Sequence, residues 1–147
     1  TTELNIHQLK ARIGDLFGSD RAGNAMQITV ESFGFKHGLP LDVDLVLDCR
    51  FLPNPHWVDE LRPLSGRDEA VKDYVLGQPA AIAFLDHMNK LLRLLVPAYQ
   101  HEGKSYLTIA FGCTGGRHRS VAIAEEVAEQ LRARGERPAV SHRDIDR

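Results

Sequence analysis

An α/β fold, with a mostly parallel sheet flanked by helices, is predicted by three features of the sequence. Short runs of strand character near residues 26–33, 45–47, 106–111 and 138–140 alternate with stretches at helical spacing, the order that parallel strands joined by crossover helices require. The apolar run Leu107, Thr108, Ile109, Ala110, Phe111 leads straight into a glycine-rich turn, Gly112-Cys113-Thr114-Gly115-Gly116, after which helical periodicity resumes. A length of 147 residues, 43% of them hydrophobic, is enough for one domain with a full core and no disulfide or metal support.

Taken in order, Leu4, Ile6, Leu9, Ile13, Leu16 and Phe17 mark an amphipathic helix ending at Gly18, expected to dock residues 1–18 behind a preceding domain, with residues 19–147 as the domain proper. Residues 19–24 read as a polar turn and residues 26–33 as a first, alternating strand. Gly34-Phe35-Lys36-His37-Gly38 closes it with a glycine-bracketed, cationic loop. Leu45, Val46 and Leu47 form a second strand, and Asp48 and Arg50 follow just past its end, where ligands sit in open α/β sheets. Pro53 and Pro55 exclude a helix and hold His56 on a stiff loop. Ser65 or Asp68 is expected to cap a helix through Val71, Tyr74 and Val75 to Gly77. Pro79 opens a longer helix with Leu85, Met88, Leu92 and Leu95 on one face, expected to end at Pro97 and to turn at residues 101–103. Val121, Ala124, Val127, Ala128 and Leu131 belong to the helix after the glycine turn, Gly135 stops it, and Pro138, Ala139 and Val140 suggest a last strand.

The formal net charge of −2 excludes an overall polycation, so any nucleic-acid contact must come from a local patch. Two cysteines, Cys49 and Cys113, are too few for a secreted disulfide framework, which together with the absence of a leader-like stretch predicts a reduced, cytoplasmic setting. Asp86, His87, Asn89, Lys90 and Arg93 interrupt the longest helix and exclude a membrane span. Gly103-Lys104-Ser105 imitates a nucleotide-binding loop but lacks its upstream glycine and precedes a strand instead of following one. His142-Arg143-Asp144 imitates a kinase catalytic loop by coincidence, with no room for the parts that must follow. Cys49, Cys113, His37, His56 and His118 lack the close spacing of a zinc site, so no metal is expected.

The glycine turn is suited to an anion. Gly112, Gly115 and Gly116 leave backbone amides uncovered, the following helix adds unpaired N–H groups, and Arg117, His118 and Arg119 add charge and forked donors. Cys113 with Arg119 and Ser120 also matches the C-x5-R-[ST] spacing of cysteine-dependent phosphatases, although Gly112 stands where those enzymes usually carry histidine. A non-enzymatic phosphate cradle is the preferred reading and a phosphatase the alternative.

The strings Glu31-Ser32-Phe33-Gly34-Phe35-Lys36-His37-Gly38, residues 48–57 with their Arg-Phe-Leu-Pro-Asn-Pro core, Leu61-Arg62-Pro63, Lys104-Ser105-Tyr106-Leu107-Thr108 and residues 112–120 together resemble the C-terminal domain of the RapZ/YvcJ family of RNase adapters and nucleotide-binding proteins. The resemblance implies a domain similar to a phosphofructokinase subdomain, with ATP or GTP binding confined to an N-terminal P-loop domain and no cofactor in this one. It implies a sensor of an amino-sugar phosphate such as glucosamine-6-phosphate, acting in the regulation of cell-envelope precursors. By position, its site would draw on Lys36, Asp48, Arg50, His56, Ser105, Thr114, Gly115, Gly116 and Arg119. It further implies a homo-oligomer that presents small regulatory RNA to an endoribonuclease. RNA-binding members end in a lysine- and arginine-rich tail, whereas here Asp144 and Asp146 offset Arg143 and Arg147; a patch of Arg132, Arg134, Arg137 and Arg143 would therefore bind RNA weakly.

Overall fold

The computed structural model describes residues 26–147, so the helix expected over residues 4–17, its docking role and the turn at 19–24 lie outside the described residues. Four strands, β1 (Gln27–Gly34), β2 (Leu45–Asp48), β3 (Tyr106–Cys113) and β4 (Ala139–His142), form one parallel sheet in the order β2-β3-β1-β4. Among the described residues there are three α-helices: α1 (Glu69–Leu76), α2 (Pro79–Glu102) and α3 (Arg119–Ala133). The parallel α/β fold read from the sequence is the fold found.

Alternation along β1 decides which way its side chains point. Ile28 and Val30 face the core opposite Leu107 and Ile109 of β3, and all four are buried. Each such side chain contributes about 1.5–3 kcal/mol relative to an exposed one. The crossovers from β2 to β3 and from β3 to β4 step across the sheet in the same direction, so right-handed connections bring all three helices to one face. Helix α3 lies centrally, against β1 and β3 on one side and against α1 and α2 on the other. Its first two turns, from Arg119 to Ala124, are accordingly buried all round, not along a stripe. Phe84 of α2 reaches over the sheet to meet Phe111 edge-on.

One helix end and one cap differ from expectation. Pro97 does not end α2, which runs on to Glu102 and closes at Gly103 in the left-handed conformation, φ 99°. Pro97 and Arg93 both sit on the outer, exposed side of the helix, the side on which a carbonyl left without its helical N–H is least costly because solvent is at hand. His101 and Glu102 therefore belong to the last helical turn. Asp68 does occupy the N-cap of α1, but neither it nor Ser65 caps the helix with its side chain; the Asp68 carboxylate accepts instead from the backbone N–H of Ser65 at 2.8 Å.

A polar tie crosses the core. His142 of β4 bonds through Nδ1 to the Ser32 hydroxyl and through Nε2 to a Glu125 carboxylate oxygen, both at 2.6 Å. With Ser32 fully buried, this chain joins β1, β4 and α3 and offers no nucleophile to solvent. Among the described residues no helix is long and apolar enough to cross a membrane.

Candidate functional site

The C-terminal ends of the strands open into a cavity of about 430 Å³. Its walls come from the loop after β1, the proline-rich loop after β2, the turn between β3 and α3, and the chain end after β4. Five of the lining side chains are Lys or Arg, namely Lys36, Arg62, Arg117, Arg119 and Arg147, and among the described residues no carboxylate lines it. A chain of net charge −2 has thus gathered a positive field at one place, which favours an anionic ligand.

Glycines make the walls meet. Gly116 has φ 83°, and a Cβ there would lie 2.5 Å from the Gly34 nitrogen; a Cβ on Gly34 would lie 2.4 Å from the Gly115 carbonyl. The loop after β1 crosses the β3–α3 turn at backbone contact, and the Lys36 N–H donates to the Thr114 carbonyl at 3.2 Å. The proline-rich loop docks in the same manner, with the Gly66 N–H donating to Arg117 O at 2.8 Å and no room for a Cβ beside His118 O. The Asn54 side chain accepts from the His56 N–H at 3.0 Å and fixes the short 3-10 turn Pro55–Trp57, which presents His56 and Trp57 at the rim.

The arginines differ in what they have left to offer. Arg117 donates to the carbonyls of Pro63, Leu64 and Ile145, so it laces three segments together. Arg62 holds His56 O and the Asp59 carboxylate. Arg119 is only 5% exposed, and its Nη1 donates to Arg50 O at 2.9 Å and Leu52 O at 3.0 Å. Its Nη2 reaches the Thr114 hydroxyl at a long 3.4 Å, and its Nε is buried without a partner among the described residues. Nε and Nη2 form one edge of the guanidinium fork, the edge that takes two oxygens of a phosphate or carboxylate. Among the described residues Arg119 makes no ion pair, although its charge acts on the nearby Asp48 carboxylate, and an anion on that edge adds a direct partner to a buried guanidinium. Burial pushes the pKa of His118 below its ordinary value, leaving it neutral near pH 7 with Nε2 against Arg62 O at 3.2 Å.

Of the residues expected from the sequence, Lys36, His56, Thr114, Gly115 and Arg119 meet at the cavity, and Gly116 supports it from behind. Asp48 and Arg50 lie beside it without lining it. They pair with each other at 2.7 Å, Arg50 stacks 4.0 Å from the Phe35 ring centre, and the hydrogen bonds from Arg50 hold the Asp48 carboxyl below its ordinary pKa. Ser105 is not at the site: it precedes β3, about 26 Å along the strand from Cys113, because a parallel strand has its two loops on opposite edges of the sheet. Of the four arginines expected as an RNA patch, Arg143 stands at the opposite end of β4 from the other three. Arg132 pairs with Glu129, Arg134 is half-buried, and Arg137 precedes β4, whereas Arg143 follows β4 and binds Asp144 and Gly38 O. No group of three or more metal-ligating side chains occurs among the described residues.

The residue that sequence reasoning missed is Asp144. It is fully buried, accepts from the Gly34 N–H at 2.7 Å, and pairs with Arg143 and Arg147 at 2.8 and 3.1 Å. Burial alone would raise its pKa, but hydrogen bonds from Arg143 and Gly34 outweigh this and hold it low. The carboxylate pins the chain end behind the Gly34–Gly116 crossing, which brings Arg147 to the cavity wall. An acid near a chain end reads as solvated surface, and no local pattern would have marked it otherwise.

A model of the RapZ C-terminal domain matches residues 26–146. A nucleotide-binding protein of Thermobifida fusca is 58% identical over all 147 residues, one of Mycobacterium avium 55% identical over 151 aligned positions, and one of Trichlorobacter lovleyi 54% identical over 147. In each case this chain is covered completely and accounts for 50%, 50% and 52% of the relative, so it spans about half the length of the curated relatives it matches.

Proposed function

Because this chain belongs to the RapZ C-terminal domain family, and because its cationic cavity holds a buried, half-partnered Arg119, we propose that it is a regulatory domain that senses a phosphorylated sugar, with glucosamine-6-phosphate the leading candidate. The carrying observation is the Arg119 edge. A phosphate there meets Nε and Nη2, the Thr114 hydroxyl and the uncovered backbone at Gly115, with Lys36 adding charge from the opposite loop. Trp57, 77% exposed at the rim beside His56, offers an aromatic face to the sugar ring. The absence of a carboxylate from the described lining makes the phosphate the main recognition element. A role for Asp48 at the sugar ammonium requires its release from Arg50.

Calorimetry with glucosamine-6-phosphate, glucose-6-phosphate, glucosamine and inorganic phosphate tests the reading. Heat is expected with both sugar phosphates and none with glucosamine; a folded sample that gives no heat with either sugar phosphate removes it. Trp57 is the single tryptophan of the chain, so its fluorescence reports occupancy of this cavity alone. The RNA-presenting role implied by the resemblance draws little support from Arg132 and Arg143, which are paired with acids, or from the half-buried Arg134. Retention of RNA at low salt, falling steeply as salt is added, is its check.

A further inference from the structure

We propose that the chain pairs with a second copy of itself through an exposed apolar seam on α2, the two helices running antiparallel about a two-fold axis at Leu91. The pairing is independent of what the cavity binds.

Helix α2 has two apolar faces where a surface helix needs one. Ala81, Leu85, Met88, Leu92 and Val96 are buried and form the core face. Turned away from them, Phe84, His87, Leu91, Leu94 and Ala98 recur at alternating steps of three and four residues, the spacing of a coiled-coil seam. Leu91 is 40% and Leu94 67% exposed, and no Asp, Glu, Lys or Arg occupies a seam position. The charges next to the seam, Asp86 and Lys90, answer each other at 3.0 Å.

The apolar surface continues onto the sheet. Phe84 meets Phe51, which is exposed in the loop after β2, at 5.5 Å between ring centres. Strand β2 is an edge of the sheet, and its Leu45 and Leu47 share the core face with Ile109 and Phe111 yet are only half-buried. Phe84, Leu45 and Leu47 pack against the core from outside, so this side of the molecule resembles a core cut open, the character of a permanent subunit interface. The charges flanking β2 are neutralised within the chain, Asp44 by Lys104 at 2.8 Å and Asp48 by Arg50 at 2.7 Å. An edge strand flanked by neutralised charges lacks the usual guard against pairing with another chain.

The seam is also complementary to itself. Leu91 stands at the middle of the 24-residue helix, so a two-fold axis there sets Leu91 against its own copy. The same axis sets Phe84, the largest residue of the seam, against Ala98 of the second copy, the smallest. The helix extends about 36 Å, and together with the strand edge it presents a face roughly 20 Å wide. That amounts to about 700 Å² per copy, close to the area of about 800 Å² per partner found in stable interfaces.

Sedimentation equilibrium of the purified chain tests the proposal. A dimer of twice the 16.4 kDa chain mass is expected. Leu91→Glu should weaken it by about a hundredfold or more and leave the helical circular dichroism unchanged, because Leu91 is exposed in the single chain. A chain that is monomeric at every concentration overturns the proposal, as does a dimer that Leu91→Glu leaves intact. Should that variant misfold, Leu91→Cys decides. Its two thiols meet at the axis and should form an intermolecular disulfide with oxidised glutathione as the oxidant, whereas the buried Cys49 and Cys113 give no background. Ile82→Cys, as exposed but half a turn round the helix, should not cross-link. Equal cross-linking of the two variants, or none from Leu91→Cys, refutes the seam.

Discussion

The two ends of β3 carry similar residues and do opposite things. Gly103-Lys104-Ser105 leads into the strand, and Gly112-Cys113-Thr114-Gly115-Gly116-Arg117 leads out of it; each combines glycine, a hydroxyl or thiol, and a cation. At the entry, Gly103 closes α2 in the left-handed conformation and Lys104 pairs with Asp44 at 2.8 Å, so its charge is answered locally. At the exit, α3 begins with its amides toward the loop, and a buried cation makes no ion pair among the described residues. Composition does not separate the two loops. Strand direction does, because in a parallel sheet the helix that follows a strand starts at that strand's C-terminal edge, and only there do helix N-termini gather.

Substitutions at the two ends should pull these roles apart. The largest effect is expected for Gly116→Ala, which places a side chain at φ 83° and a Cβ 2.5 Å from the Gly34 nitrogen; denaturant unfolding should show a loss of about 3 kcal/mol or more. Gly103→Ala has the same positive-φ problem, at φ 99°, in a helix end rather than a loop crossing, and should lose about 1–2 kcal/mol. Equal losses at the two glycines would mean that the exit turn is not the tightly packed crossing described here.

Next comes Asp144→Asn, which removes the charge that holds Arg143, Arg147 and the Gly34 N–H, with an expected loss of about 2–3 kcal/mol. Because the carboxyl is held low in the folded state, its contribution is present above the ordinary aspartate range and fades as the pH falls through the lower folded value. The variant should therefore lose its deficit in strong acid. A deficit that stays constant down to pH 2 would show that the bond geometry matters and the charge does not.

Ligand binding sharpens the contrast further. Arg119→Ala should weaken sugar phosphate binding by about 1.5–3 kcal/mol, roughly ten- to a hundredfold, while Lys104→Ala should leave it unchanged. Calorimetry on both variants reads this directly, and a neutral Arg119→Ala would place the phosphate elsewhere. The smallest effect is expected from His118. Its folded pKa lies below 6.5, so the unfolded chain binds the proton first and stability declines as the pH drops through 6.5 toward the folded value. His118→Gln should remove that step from a plot of stability against pH. Glu31, which burial holds above 4.5, titrates with the opposite sign, so the difference between variant and wild type is the quantity to read.

Much of the fold was legible because its signals are local. Alternation in residues 26–33 marked β1, the spacing of Val121, Ala124, Val127 and Leu131 marked α3, and Gly135 marked its end. Pro97 misled because proline's penalty in a helix depends on whether the orphaned carbonyl reaches water, which is decided by the face it occupies. The candidate site was half legible. Lys36, His56, Thr114, Gly115 and Arg119 stood out as cations and glycines after strand ends, and the sheet brought them together. Ser105 was carried by its motif, without regard to which edge of the sheet it falls on.

By itself, then, the sequence determined the alternation of strands and helices, the gathering of glycines and cations at the β3–α3 turn and, through its long motif strings, the family. These depend on neighbours within a few residues, where periodicity, backbone preference and side-chain type act directly. Tertiary structure alone decided which cations remain available. Arg117, Arg119 and Arg143 all bond to backbone carbonyls 28 to 109 residues away in the chain, and of the three it is Arg119 whose buried Nε is left without a partner among the described residues. It also turned Cys113 from a residue at a strand end into a sulfur with two hydrogen-bonding neighbours, and Asp144 from a surface acid into the clasp that shapes the cavity. Partnering across such distances is set by how the sheet registers and where the loops cross, and no window of sequence contains it.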